Sequence, residues 1–134
     1  MAVTLGGGVL EAIAAHGRET YPNECCGALI GRGGGASESF ALPNTTEEGP
    51  RRRFPVRPAD YRAAETRATD TGRELLGFYH SHPDHPAQPS QYDLDHAWPF
   101  FSYVIISVCG GDVRELRSWR LRDDRSQFDE EEVC

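Results

Sequence analysis

Two histidines separated by one residue, His80 and His82, stand in the stretch HSHPDHPAQPSQYD, with Ser90 and Asp93 completing the run downstream. Imidazoles at i and i+2 near the end of a strand leave the same face and can converge on one ion. A carboxylate one turn into a following helix returns to the same point once Pro83, Pro86 and Pro89 have reversed the chain. Two nitrogens and one oxygen with an open fourth position form the donor set of a catalytic zinc, whereas a structural zinc is closed by four protein ligands, usually including cysteine. His80, His82 and Asp93 are therefore the expected ligands of one Zn2+ per chain, with water as the fourth. Iron or manganese also suits a His₂Asp set, and zinc is the choice for redox-free hydrolysis.

Zinc lowers the pKa of water from about 15.7 to about 7, but an amide leaving group still needs a proton carrier. Glu24 is the candidate base: it opens an otherwise apolar run, ECCGALIG, where desolvation raises a carboxyl pKa. Glu19 is the alternative. Ser90, at a helix start, is an N-cap by type, and its hydroxyl and the helix dipole can also stabilise an oxyanion.

These residues need particular elements behind them. Val9 to His16 has helical spacing and meets Gly17, which predicts a helix stop there. Glu24 to Gly31 reads as a buried strand, turning through Gly33 to Gly35 into a second strand over Ser37 to Leu42. Pro43 to Pro50 reads as a loop and Arg52 to Val56 as a short edge strand. Pro58 opens a helix that runs to Thr71, and Glu74 to His82 is apolar on both faces, as a central strand is. Ser90 caps a short third helix that ends before Pro99. Phe101 to Cys109 and Val113 to Leu121 form a hairpin across Gly110 and Gly111. The expected architecture is a single α/β (α+β) domain over residues 1 to 122, a mixed central sheet flanked by helices. Residues 123 to 134 carry six acids and one arginine and read as a removable acidic tail.

The chain has 134 residues, enough to bury about two-thirds of its unfolded surface in one domain. Its formal charge is −7 and it has no lysine, a poor composition for gripping phosphates, so no nucleic-acid partner is expected. Arg51, Arg52 and Arg53 form the one basic cluster and read as a solvated rim. No apolar run reaches the roughly 20 residues a membrane span needs, and the N-terminus lacks the basic start and long apolar core of a leader. A cytoplasmic protein without a membrane partner is expected. The four cysteines form no C-x-x-C pair. Cys25 and Cys26, in an apolar strand, read as inert thiols. His85 and His96 are expected outside the ligand set, and Trp98, Phe100 and Phe101 in the core.

Glutamate, then His-x-His, seven residues, Ser, two residues and Asp resembles the signature of the JAMM (MPN+) metalloprotease family. Glu24, His80, His82, Ser90 and Asp93 match it residue by residue. CCGALIG, GFYHSHPDHPAQPS and YVIISV fit the family as well, so the resemblance spans about Glu24 to Arg120. It implies Glu24 as general base, His80, His82 and Asp93 as zinc ligands, Ser90 as oxyanion stabiliser, and a cytidine-deaminase-like layering. The short spacing after Asp93 leaves no room for the second-zinc insertion of some deubiquitinating relatives, and the chain resembles the small stand-alone bacterial branch. That branch implies cleavage after the C-terminal Gly-Gly of a ubiquitin-like sulfur carrier protein of the ThiS/MoaD type. A general zinc di- or oligopeptidase and a non-catalytic MPN-type binding module are the alternatives. A deaminase would need His-x-Glu and Pro-Cys-x-x-Cys, which the chain lacks.

Overall fold

The structure is a computed structural model and describes residues 2–43 and 58–134. Seven strands, β1 (Ala2–Leu5), β2 (Cys26–Arg32), β3 (Gly35–Leu42), β4 (Glu74–Pro83), β5 (Ser102–Cys109), β6 (Asp112–Leu121) and β7 (Phe128–Val133), accompany three helices, α1 (Val9–Thr20), α2 (Pro58–Asp70) and α3 (Gln91–His96). The strands lie in the order β1-β3-β2-β4-β5-β6-β7, and β1 pairs in parallel with both β3 and β7, which closes the sheet on itself. The mixed sheet flanked by helices is as expected. Its closure is an addition that the sequence reading did not contain.

Helices α1 and α2 each cover one face of the central strands. Val9, Ile13 and Gly17 recur every fourth residue and are buried on α1, where they pack with Cys25, Leu29, Tyr79, Val104, Ile106 and Val108. Gly17 is a close-approach position rather than the predicted stop: a Cβ there would come within 2.6 Å of Ile106. α1 therefore continues to Thr20. On the other face Ala64 of α2 packs with Cys26, Ala28, Leu42, Phe78 and Phe101, with Tyr61, Trp98 and Tyr103 around them. Small alanines on α2 let the helix lie close to the sheet. Trp98 is half-buried and Phe101 buried, but Phe100 is 63% exposed and is not a core residue.

β4 lies between antiparallel β2 and parallel β5, and β2 is offset by a bulge at Leu76, opposite the step from Leu29 to Ile30. The bulge resets the alternation, so that Phe78, His80 and His82 share the α2 face while Tyr79 faces α1. Tyr79 lies over Gly27, where a Cβ would sit 2.3 Å from its ring, and its hydroxyl meets His16 Nδ1 at 2.7 Å.

The acidic tail is corrected. Residues 128–133 are strand β7, paired antiparallel with β6 and parallel with β1, and Leu121 pairs with Phe128. Its acids are organised rather than simply solvated: Glu131 is buried, accepts from Ser118 Oγ at 2.7 Å and pairs with Arg120 at 3.1 Å. Charged residues hid the strand because the inward position of its alternation is a satisfied carboxylate. The edge strand expected over Arg52 to Val56 and the Arg51–Arg53 cluster lie outside the described residues. Among the described residues no helix is long and apolar enough to cross a membrane.

Candidate metal centre

β4 carries His80-Ser81-His82 just before its last residue, Pro83, and the pleat sends both imidazoles to the face where α3 returns. Their Nε2 atoms lie 3.0 Å apart, and each is 3.4 Å from Asp93 Oδ2. Donors about 2.0–2.1 Å from a tetrahedral zinc lie roughly 3.3 Å from one another, so this triangle has the edge lengths of three ligands of one ion. A carboxylate oxygen of Glu24 and a ring nitrogen of each histidine also lie within 4.8 Å of one another. The donor set therefore fits zinc, with Asp93 and Glu24 both beside the two histidines.

Each side chain is placed by its element. Cys26 pairs with His80 across β2 and β4, and Ser81 N donates to Cys25 O at 3.1 Å, so extending the register by two sets Glu24 opposite His82. Glu24 precedes the first residue of β2 and is buried, like His80. Ser81, between the two histidines, points the other way, and its hydroxyl accepts from Cys25 N at 2.8 Å. Ser90 caps α3: its Oγ accepts from Asp93 N at 3.1 Å while Asp93 Oδ2 accepts from Ser90 N at 2.8 Å, a reciprocal capping box. The cap fixes Asp93 on the first turn of α3. Because Ser90 Oγ acts as acceptor there, its own O–H is left to donate.

His82 Nδ1 meets the Pro86 carbonyl at 3.0 Å. A carbonyl only accepts, so the proton sits on Nδ1 and the Nε2 lone pair faces Asp93 and His80. Burial opposes charge on the His82 ring, but the hydrogen bond and charge of Asp93, with Pro86 O, outweigh it and raise its pKa. Burial likewise works against an ionised Asp93, yet His80 and His82 and the Ser90 N–H hold its carboxyl well below the usual carboxylate range. This is an anionic carboxylate set against two ring nitrogens, the electrostatics of a cation site.

His85 and His96 are exposed and stand apart from the cluster. Cys25 and Cys26 are buried free thiols, and burial pushes the Cys26 pKa up, which suits inert cysteines. Sequence reasoning missed the groups that hold the proline loop: Ser107 Oγ donates to His85 O at 2.6 Å, Trp119 Nε1 to Ala87 O at 3.0 Å, and Ala87 N to Glu115 Oε1 at 2.9 Å. It also missed Arg125, which donates to Ala97 O at the end of α3 at 2.8 Å. No local pattern marks these residues, since their partners are far away in the chain.

Residues 7–122 match the family described as prokaryotic homologs of the JAB domain. A tail tip assembly protein K of Escherichia phage N15 is 33% identical over 109 residues, which cover 81% of this chain but only 42% of the phage protein. The chain thus spans less than half the length of that relative. A desampylase of Haloferax volcanii is 31% identical over 115 residues, covering 81% of this chain and 82% of its own. A CysO-cysteine peptidase of Mycobacterium tuberculosis is 29% identical over 116 residues, covering 86% and 80%. Among solved structures, a protein from Desulfitobacterium hafniense superposes with a TM-score of 0.84 at 34% identity, covering 100% of this chain and 92% of that one. With the family match spanning the whole segment from α1 through β6, and the His80, His82, Ser90 and Asp93 motif inside it, the chain belongs to the prokaryotic homologs of the JAB domain.

Proposed function

We propose that the protein is a zinc-dependent peptidase that cleaves the bond after the C-terminal Gly-Gly of a ubiquitin-like sulfur carrier protein. The observation that carries this reading is the convergence of His80 Nε2, His82 Nε2 and Asp93 Oδ2 within 3.4 Å of one another beside the Glu24 carboxylate. Two relatives of similar length, a desampylase and a CysO-cysteine peptidase, support a hydrolase acting on ubiquitin-like proteins.

Zinc held by His80, His82 and Asp93 would supply a Lewis acid that acidifies water and polarises the scissile carbonyl. The chain's own residues do the rest. Glu24, beside the ligands and buried, accepts the proton of the attacking water and passes it to the leaving amine. The Ser90 hydroxyl, held by Asp93 N, donates to the oxygen on which charge develops. His82 is oriented by Pro86 O, and the capping box keeps Asp93 in place.

A general peptidase is the second reading, because the two histidines, Asp93 and Glu24 set the chemistry of hydrolysis and not the substrate. Cleavage of a carrier ending in Gly-Gly-cysteine, set beside cleavage of the free Gly-Gly-cysteine tripeptide, separates the two. Turnover of the carrier alone supports the first reading, and equal turnover of both overturns it.

A further inference from the structure

One peptide unit, that between Pro86 and Ala87, joins His82 to a carboxylate on β6. Its carbonyl accepts the His82 Nδ1–H at 3.0 Å and its N–H donates to Glu115 Oε1 at 2.9 Å. The two ends of a peptide are one planar, conjugated unit. A negative charge at the N–H end therefore polarises the whole unit and makes its carbonyl a stronger acceptor.

The chain on either side of this unit is clamped. Ala87 is fully buried, and its own carbonyl accepts from Trp119 Nε1 at 3.0 Å. Just before it, Ser107 Oγ holds His85 O at 2.6 Å and Asp84 N donates to Val108 O at 2.8 Å. Glu115 faces Ser107 across β5 and β6 and is braced by Arg117 at 3.3 Å. The Ala87 N–H, helped by Arg117, keeps its carboxyl below the usual range, so it is ionised near neutrality.

We propose that Glu115 is a positioning residue for the metal centre: through the Pro86–Ala87 peptide it strengthens and aims the His82 Nδ1–H bond, and so makes Nε2 a better metal donor. The proposal rests on His80, His82 and Asp93 being the ligands. Metal-binding histidines commonly give their second N–H to a carboxylate directly, which raises their basicity. Here the carboxylate acts from one peptide away, and Trp119 anchors the peptide that follows it through the Ala87 carbonyl.

The test compares the full chain with Glu115→Ala and Glu115→Gln by three readouts: zinc affinity against a chelating dye, the His82 Nδ1–H resonance of the metal-free protein, and thermal unfolding. Removing the carboxylate should weaken zinc binding roughly tenfold and move the Nδ1 proton upfield. Glutamine still accepts the Ala87 N–H but without charge, so it should cost roughly threefold, with a smaller shift. Unchanged affinity and an unmoved Nδ1 proton in both variants, even with a lower melting temperature, would make Glu115 a loop anchor and overturn the proposal. Should the wild type bind no zinc, the ligand reading fails and the positioning role fails with it, while the metal-free resonance still decides whether the relay exists.

Discussion

A carboxylate oxygen of Glu24 lies within 4.8 Å of a His82 ring nitrogen, where the register of β2 and β4, continued two residues past the paired Cys26 and His80, puts it. An acid and a histidine 58 positions apart in sequence are thus neighbours because strand pairing is periodic. The relationship separates two kinds of defect. Glu24→Gln should keep one zinc per chain and lower kcat by about 10²- to 10⁴-fold, the usual contribution of a general base. His82→Ala should lose the metal itself. Metal analysis beside carrier hydrolysis distinguishes them, and zinc loss in Glu24→Gln would show that Glu24 is a ligand.

Zinc should also stabilise the fold, because its ligands come from β4 and α3, two elements separated by a loop. A ligand present at a thousandfold excess over its Kd contributes about 4 kcal/mol. Chelation should lower the melting temperature of the wild type and leave that of Asp93→Ala nearly unmoved. An equal response of both proteins to chelator would contradict the assignment of Asp93.

Gly77 faces Ser102 across the parallel β4 and β5 pair, and a Cβ on it would sit 1.9 Å from the Ser102 carbonyl oxygen. Backbone cannot swing aside as a side chain does. Gly77→Ala should therefore lose about 3 kcal/mol in urea unfolding, and a loss below 1 kcal/mol would show that the strands can separate there at little cost.

Glu38 of β3 pairs with Arg67 and Arg73 at the end of α2 and just after it. Burial would raise its carboxyl pKa, but the two arginines overcome this and lower it from 4.5. A carboxyl depressed in the folded state stabilises above its unfolded pKa and loses that contribution as the pH falls through the folded value. The stability gap between wild type and Glu38→Gln should be full at pH 7 and shrink below about 4.5. A gap independent of pH would mean that the pairs contribute through shape alone.

Deleting residues 123–134 should do more than shorten a tail. It would remove the partner of β6 and β1, uncover Val3 and Leu121, and leave Ser118 and Arg120 without Glu131. Loss of the cooperative unfolding transition is expected, and a truncated chain that melts as sharply as the intact one would restore the tail reading.

The convergence of His80, His82 and Asp93 was legible because these residues, with Ser90, fall within one loop and the ends of its flanking elements. Strands β2 and β4 were legible because burial on both faces leaves an uninterrupted apolar run. β1 escaped notice because four residues, only one of them buried, carry too little pattern. β7 escaped because its inward residue is Glu131, and Gly17 misled because a glycine needed for helix contact looks like a glycine needed for a stop. Glu115 and Trp119 were invisible for a deeper reason: their role is a contact with the backbone of Ala87, and backbone has no letter in a sequence.

The closure of the sheet also has a consequence for the order of assembly. The strands next to the histidine–carboxylate cluster, β2 and β4, pair with each other and with β3 and β5, inside residues 26–109. β1 is different: Ala2 and Val3 pair with Glu132 and Val133, among the longest sequence separations available to the chain. Such contacts form late and set the pace of folding. A chain emerging from the ribosome would hold its first strand in reserve, half-paired to β3, until its last strand arrived to seal the seam.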